Sequence, residues 1–141
     1  MRLQTAIATA AILTFAAGAA HADEQKYVAR LTGAAEATPV TSSGAGLVSA
    51  ELDTDTAELS YTVTFSGLSS PVTAADFHGP AGRAAEGPVA ITCGSTASPI
   101  SGTVKLTQAQ VHDLNAGNWY FNVQTGANPN GELRGQLKRD Y

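Results

Sequence analysis

Asp76 and His78 stand two apart in Thr73–His78, where Ala75 and Phe77 take the opposite parity. On a strand, residues two apart share a face, so a carboxylate oxygen and an imidazole nitrogen point the same way. Such a pair is half of a metal site, and its bland alternative is a hydrogen-bonded network. In Asn118–Thr125, Trp119, Phe121 and Val123 oppose Tyr120, Asn122 and Gln124. In Glu132–Lys138, Leu133 and Leu137 oppose Glu132, Arg134 and Gln136. If these three strands are neighbours, Asp76, His78, Asn122, Gln124, Glu132 and Arg134 form one polar patch. Glu132 and Arg134 are expected to make a partly buried ion pair rather than an acid–base couple.

Other chemistry is scarce. A transition-metal site needs about three or four nitrogen, sulfur or carboxylate ligands, and apart from carboxylates the sequence offers His78, His112 and Cys93 once its leader is set aside. His112, beside Asp113, is expected to be exposed on a short helix. Cys93 is read as a small buried apolar residue, the alternative being an intermolecular bridge. The chain has no G-x-S-x-G elbow, phosphate-binding G-x-x-x-x-G-K-[ST], H-E-x-x-H or C-x-x-C, which removes the usual signatures of hydrolases, nucleotide-dependent enzymes and zinc proteases. Asp53 and Asp55 resemble the start of a calcium loop, but Ala57 and Glu58 follow where that loop needs oxygen ligands and a glycine, so a turn is expected.

The elements that must position these residues are strands. Leu59, Tyr61, Val63 and Phe65 alternate with Glu58, Ser60, Thr62, Thr64 and Ser66, the mark of a half-buried strand. The same period recurs at Tyr27–Leu31 and Ile100–Leu106. Ala45–Asp53, Thr73–His78, Val89–Cys93, Asn118–Thr125 and Glu132–Lys138 bring the number of short strands to eight, separated by Gly, Pro, Asp and Asn clusters. A single helix is predicted over Gln108–Ala116, opened by the capping box Thr107-x-x-Gln110 and stopped by Gly117. The fold class is therefore all-β, an antiparallel β-sandwich with one short helix.

Length and composition agree. The chain has 141 residues, 43% of them apolar and only 14% charged, with a net charge of −4. That is one domain at most, and no basic stripe is evident to neutralise nucleic-acid phosphates. Arg2, the apolar run Ala6–Ala17 and the small-residue pattern Ala20-His21-Ala22 read as a secretory signal peptide over residues 1–22, too short to span a bilayer stably. The domain proper is then residues 23–141, expected in the periplasm or outside the cell.

Several segments together carry a family likeness. They are Leu31–Val40, the hairpin Leu52–Gly67, Ala74-Ala75-Asp76-Phe77-His78-Gly79-Pro80-Ala81-Gly82, Gly117–Thr125 and Asn128-Pro129-Asn130-Gly131-Glu132-Leu133-Arg134-Gly135-Gln136-Leu137. Over residues 27–138 the sequence resembles a CHRD domain, the module named after chordin, in the form of a bacterial stand-alone exported member. The resemblance implies an immunoglobulin-like sandwich, similar in arrangement to the Greek key of Cu,Zn superoxide dismutase. Family members commonly place three histidines where this chain has Asp76, His78 and Gln124, so these three are the candidate metal ligands, with copper-type chemistry disfavoured by the loss of two imidazoles. The expected function is a non-enzymatic binding or structural module of the cell envelope, with no cofactor and an envelope or extracellular partner. The alternative is a weak or degenerate copper- or zinc-type metal-binding protein.

Overall fold

A computed structural model describes residues 23–141, and the segment read as a signal peptide lies outside the described residues. Nine strands run β1 (Glu24–Leu31), β2 (Ala45–Asp53), β3 (Glu58–Ser66), β4 (Val72–His78), β5 (Val89–Thr92), β6 (Ile100–Lys105), β7 (Tyr120–Thr125), β8 (Leu133–Gln136) and β9 (Lys138–Arg139), with helix α1 (Gln108–Asn115) between β6 and β7. They form a five-stranded sheet, β6-β3-β2-β1-β9, and a four-stranded sheet, β5-β4-β7-β8, every pairing antiparallel. Two antiparallel sheets packed as a sandwich with one short helix are the architecture that the alternating sequence dictates.

Local chemistry sets the punctuation. Between β2 and β3, Asp53 Oδ1 accepts the Asp55 and Thr56 N–H groups, so the Asp-Thr-Asp-Thr cluster is an Asx turn and not a cation loop. Thr107 Oγ1 accepts the Gln110 N–H while Gln110 Oε1 accepts the Thr107 N–H, which closes the expected capping box. The segment expected as one strand, Glu132–Lys138, is divided. Leu133–Gln136 pairs with β7, Leu137 turns the corner with its N–H on Trp119 O, and Lys138–Arg139 pairs with β1 in the other sheet. A period-two pattern does not register such a change of sheet, because Leu137 stays buried across it.

The core lies between the sheets. Leu31, Val48, Leu52, Leu59 and Val63 of the larger sheet face Phe77, Phe121, Val123 and Leu133 of the smaller, all fully buried, and Leu114 of α1 closes one end. Thr62 is exposed and Val63 buried on the same strand. Val63→Ala is therefore expected to cost about 2 kcal/mol in urea unfolding and Thr62→Ala under about 0.5 kcal/mol; equal losses would refute this orientation of β3.

The smaller sheet departs from the expected pattern on its outer side. Tyr120, Asn122 and Arg134, on the parity that faces away from the core, are buried as well. Two segments cover them, the β1–β2 connection (residues 32–44) and the β4–β5 loop (residues 79–88). At one corner the sheets are joined through Thr32 and Arg134, each N–H donating to the other's carbonyl at 3.0 Å.

Candidate functional site

The covered outer face of the smaller sheet is where the polar residues collect. Register places Asp76 opposite Asn122 and Asn122 opposite Arg134, with His78 opposite Tyr120 and Gln124 opposite Ala74. Asp76, His78, Asn122, Gln124 and Arg134 thus share one face, as strand parity predicts. Glu132 does not join them.

Glu132 precedes β8, and parity fails one residue beyond the strand. Its carboxylate is fully buried at the end of the sandwich, accepting from Ser42 Oγ (2.7 Å), Ser69 N (3.0 Å), Ser69 Oγ (2.5 Å), Thr125 Oγ1 (2.9 Å) and Asn128 Nδ2 (3.2 Å). Burial pushes its carboxyl up, but the hydrogen bonds from Ser69, Ser42 and Thr125 outweigh burial and hold it down at about 2. The expected Glu132–Arg134 ion pair is therefore corrected: the two side chains have separate partners, and Arg134 has no carboxylate oxygen within 4.0 Å among the described residues.

Arg134, 1% exposed, lays its guanidinium over the Tyr120 ring with Cζ 3.5 Å from the centroid. On the β4 side of Tyr120, the His78 ring stacks on it at 5.0 Å and 14°. These side chains grip the main chain of the β4–β5 loop. Arg134 Nη2 donates to Gly82 O, Gln136 Nε2 to Ala81 O and Gly117 O, and His78 Nδ1 to Gly87 O, while the Tyr120 hydroxyl accepts the Gly87 N–H. The start of the loop fits closely: a Cβ on Gly79 would lie 2.5 Å from Trp119 Cδ1. The His-Gly-Pro-Ala and Leu-Arg-Gly-Gln elements are thus the two halves of one clamp.

Of the candidate metal set Asp76, His78 and Gln124, two line one cavity and the third is hydrogen-bonded elsewhere. His78 and Gln124 line a small cavity of about 130 Å³ with Glu36, Glu86 and Asn122, but Asp76 does not line it. Its Oδ1 accepts the Cys93 N–H across the β4–β5 pair instead. Among the described residues no three His, Cys, Asp or Glu side chains form a group able to hold a metal ion. Cys93 is half-buried against the core, and burial pushes its thiol up, which keeps it from being an activated nucleophile.

Glu36 is the residue that sequence reasoning missed. It sits just after a 3₁₀ turn (Gly33–Ala35), on a segment without strand or helix period, so periodicity gave it no signal. The fold buries it against Asn122, whose Nδ2 donates to both carboxylate oxygens at 3.1 and 3.0 Å. A Cβ on Gly131 would intrude within 2.6 Å of this pair, and Gly131 takes φ of 127°, so that position needs glycine twice over. Burial pushes the Glu36 carboxyl up to about 7, against the lowering effects of the Asn122 hydrogen bonds and the Arg134 charge and with a further push from Glu86.

The sign of the resulting pH dependence follows. Between about 4.5 and about 7 the folded chain holds the Glu36 proton that the unfolded chain has released. Stability from this group is therefore greatest at the acid end and declines as pH rises through that window. The melting temperature of the native chain relative to Glu36→Gln should fall steadily from pH 4.5 to 7 and level off above; a constant difference would refute the assignment.

Beside the clamp lies a groove of about 540 Å³, walled by Ala34, Ala35, Ala37 and Pro39 on one side and by Arg83 and Ala84 of the loop on the other. Its floor and rim carry Arg30, Arg134, Gln136 and Lys138. Among known families, the CHRD domain model matches residues 27–137. The chain belongs to the CHRD family. No match was found among curated proteins or among solved structures. The CHRD match takes in β2 to β8 and most of β1 but not β9, and its extent includes both halves of the clamp and all of the groove lining except Lys138.

Proposed function

We propose that this CHRD protein is a bacterial stand-alone member, exported to the periplasm or the cell exterior, which acts as a non-enzymatic binding module of the cell envelope and takes its partner in the groove beside the clamp. The observation that carries the reading is the use to which the polar face is put. His78, Tyr120, Arg134 and Gln136 spend hydrogen bonds on loop main-chain atoms, an arrangement suited to holding a shape rather than to transferring protons or holding a metal. The groove is of the size that ordinary small ligands fill. Export rests on the Arg2, Ala6–Ala17 and Ala20-His21-Ala22 pattern.

Two measurements test the proposal. The mature protein should begin at Asp23 when its mass is determined from the periplasm or medium. Retention of the purified chain on isolated envelopes should be lost in Ala35→Trp, which fills the groove from an exposed position, and kept in Thr62→Trp on the opposite sheet. Equal retention of both variants would overturn the groove as the binding seat.

A further inference from the structure

The groove collects positive charge that the chain as a whole lacks. Arg30, Arg83, Arg134 and Lys138 line it, with Glu36 as the single carboxylate, in a protein whose net charge is −4. Their positions are dispersed in sequence: Arg30 is in β1, Arg83 is on the clamped loop, Arg134 is in β8 and Lys138 in β9. Among the described residues none of the four has a carboxylate oxygen within 4.0 Å. Cations left unpaired around a concave surface are matched by an anion from outside.

Arg134 strengthens the case because it is almost wholly buried and lines both this groove and the small cavity behind it. A buried charge costs free energy unless it is matched. Of its five N–H donors, one hydrogen bond is made within the described residues, Nη2 to Gly82 O. That bond and the Tyr120 ring hold the guanidinium in place, leaving a preset fork with unused donors. Such a fork recognises carboxylate and similar oxyanion heads by paired hydrogen bonds. Exposed Arg30, Arg83 and Lys138 supply attraction at the rim, and the alanine and proline wall suits a carbon body behind the charged head.

We propose that the groove binds an organic carboxylate, its head on Arg134 and the rim cations and its carbon body against Ala34, Ala35, Ala37 and Pro39. This rests on the reading of the groove as the binding seat and names the chemistry that the seat selects. The same head occurs in free organic acids and in the uronate units of acidic glycans.

Calorimetric titration of residues 23–141 with galacturonate, tetragalacturonate, galactose and inorganic phosphate tests it. Galacturonate should bind, galactose should bind at least ten-fold more weakly, and the affinity should drop about five-fold or more between 20 and 200 mM NaCl. Arg30→Gln combined with Lys138→Gln should weaken binding about ten-fold without moving the melting temperature. Tighter binding of tetragalacturonate than of the monomer assigns a polymeric source, and equal binding a free acid; either supports the proposal. Phosphate binding as tightly as galacturonate, or galactose binding equally well, overturns it, as does binding insensitive to the double variant. If no acid binds while Ala35→Trp still abolishes envelope retention, the carboxylate chemistry fails and the groove stands. If envelope retention is unaffected as well, the groove itself is refuted.

Discussion

Glu132→Ala is expected to lower stability by about 3 kcal/mol and the melting temperature by about 10 °C at pH 7. The expectation comes from what surrounds the carboxylate. It accepts hydrogen bonds from Ser42, Ser69, Thr125 and Asn128, which belong to the β1–β2 connection, the β3–β4 connection, the end of β7 and the β7–β8 turn. Removing it strands the buried Thr125 hydroxyl and several part-buried donors at once, and stranded donors cost more than the bonds themselves contributed. Glu132→Gln is the sharper variant, because an amide removes the charge and brings two further donors into a nest whose groups all donate to the carboxylate. It should be destabilised at pH 7 almost as much as the alanine variant. The acid limb separates the charge from the shape. With the folded carboxyl held at about 2, the stabilisation is complete above the unfolded value of about 4.5 and is lost as pH falls toward 2, since the unfolded chain then takes up the proton first. Both variants should lack that part of the acid-induced decline. A glutamine variant as stable as the native chain at pH 7 would refute the cradle.

Phe77→Ala is expected to cost about 3–5 kcal/mol, the largest loss for any single truncation in the smaller sheet. Phe77 is fully buried, and its ring meets Tyr61 edge-on at 5.1 Å, Phe121 edge-on at 4.9 Å and Trp119 at 5.8 Å. The truncation opens a cavity at the point where three aromatic side chains converge, and edge-to-face geometry contributes beyond the buried area. Phe77→Leu keeps most of the volume and should cost about 1–2 kcal/mol. Urea titrations should show midpoints in the order native, leucine, alanine with unchanged slopes. Because Phe77 lies between Asp76 and His78, the alanine variant should also loosen the clamp, seen as faster hydrogen exchange in residues 79–88. Undisturbed exchange there would uncouple the core from the polar face.

These two residues mark how far the sequence was legible. Phe77 sits inside an alternating strand, and alternation reports burial directly, so the core and the parity of Asp76, His78, Asn122, Gln124 and Arg134 within their own strands were readable, while the adjacency that joins them on one face comes from the sheet order. Glu132 lies one residue outside β8, and there parity assigned it to the wrong side and to the wrong partner. Leu137 is buried on both sides of a change of sheet, so one expected strand became two. Glu36, Arg30, Arg83 and Lys138 were illegible for a different reason. They belong to four separate segments, and only tertiary closure through the Thr32–Arg134 bridge and the clamped loop brings them around one groove.

The clamp on the β4–β5 loop takes hold of Ala81, Gly82 and Gly87 by their main-chain atoms alone. Carbonyls are common to every residue type and amide N–H groups to all but proline, so the grip specifies a path and leaves the exposed side chains of Arg83, Ala85 and Glu86 outside it, while Ala84 holds a left-handed turn at φ 61°. The scaffold therefore separates inheritance of shape from inheritance of surface chemistry. Descendants of this domain can exchange the residues at 83, 85 and 86 without renegotiating the fold, in the manner of a variable loop on a constant frame.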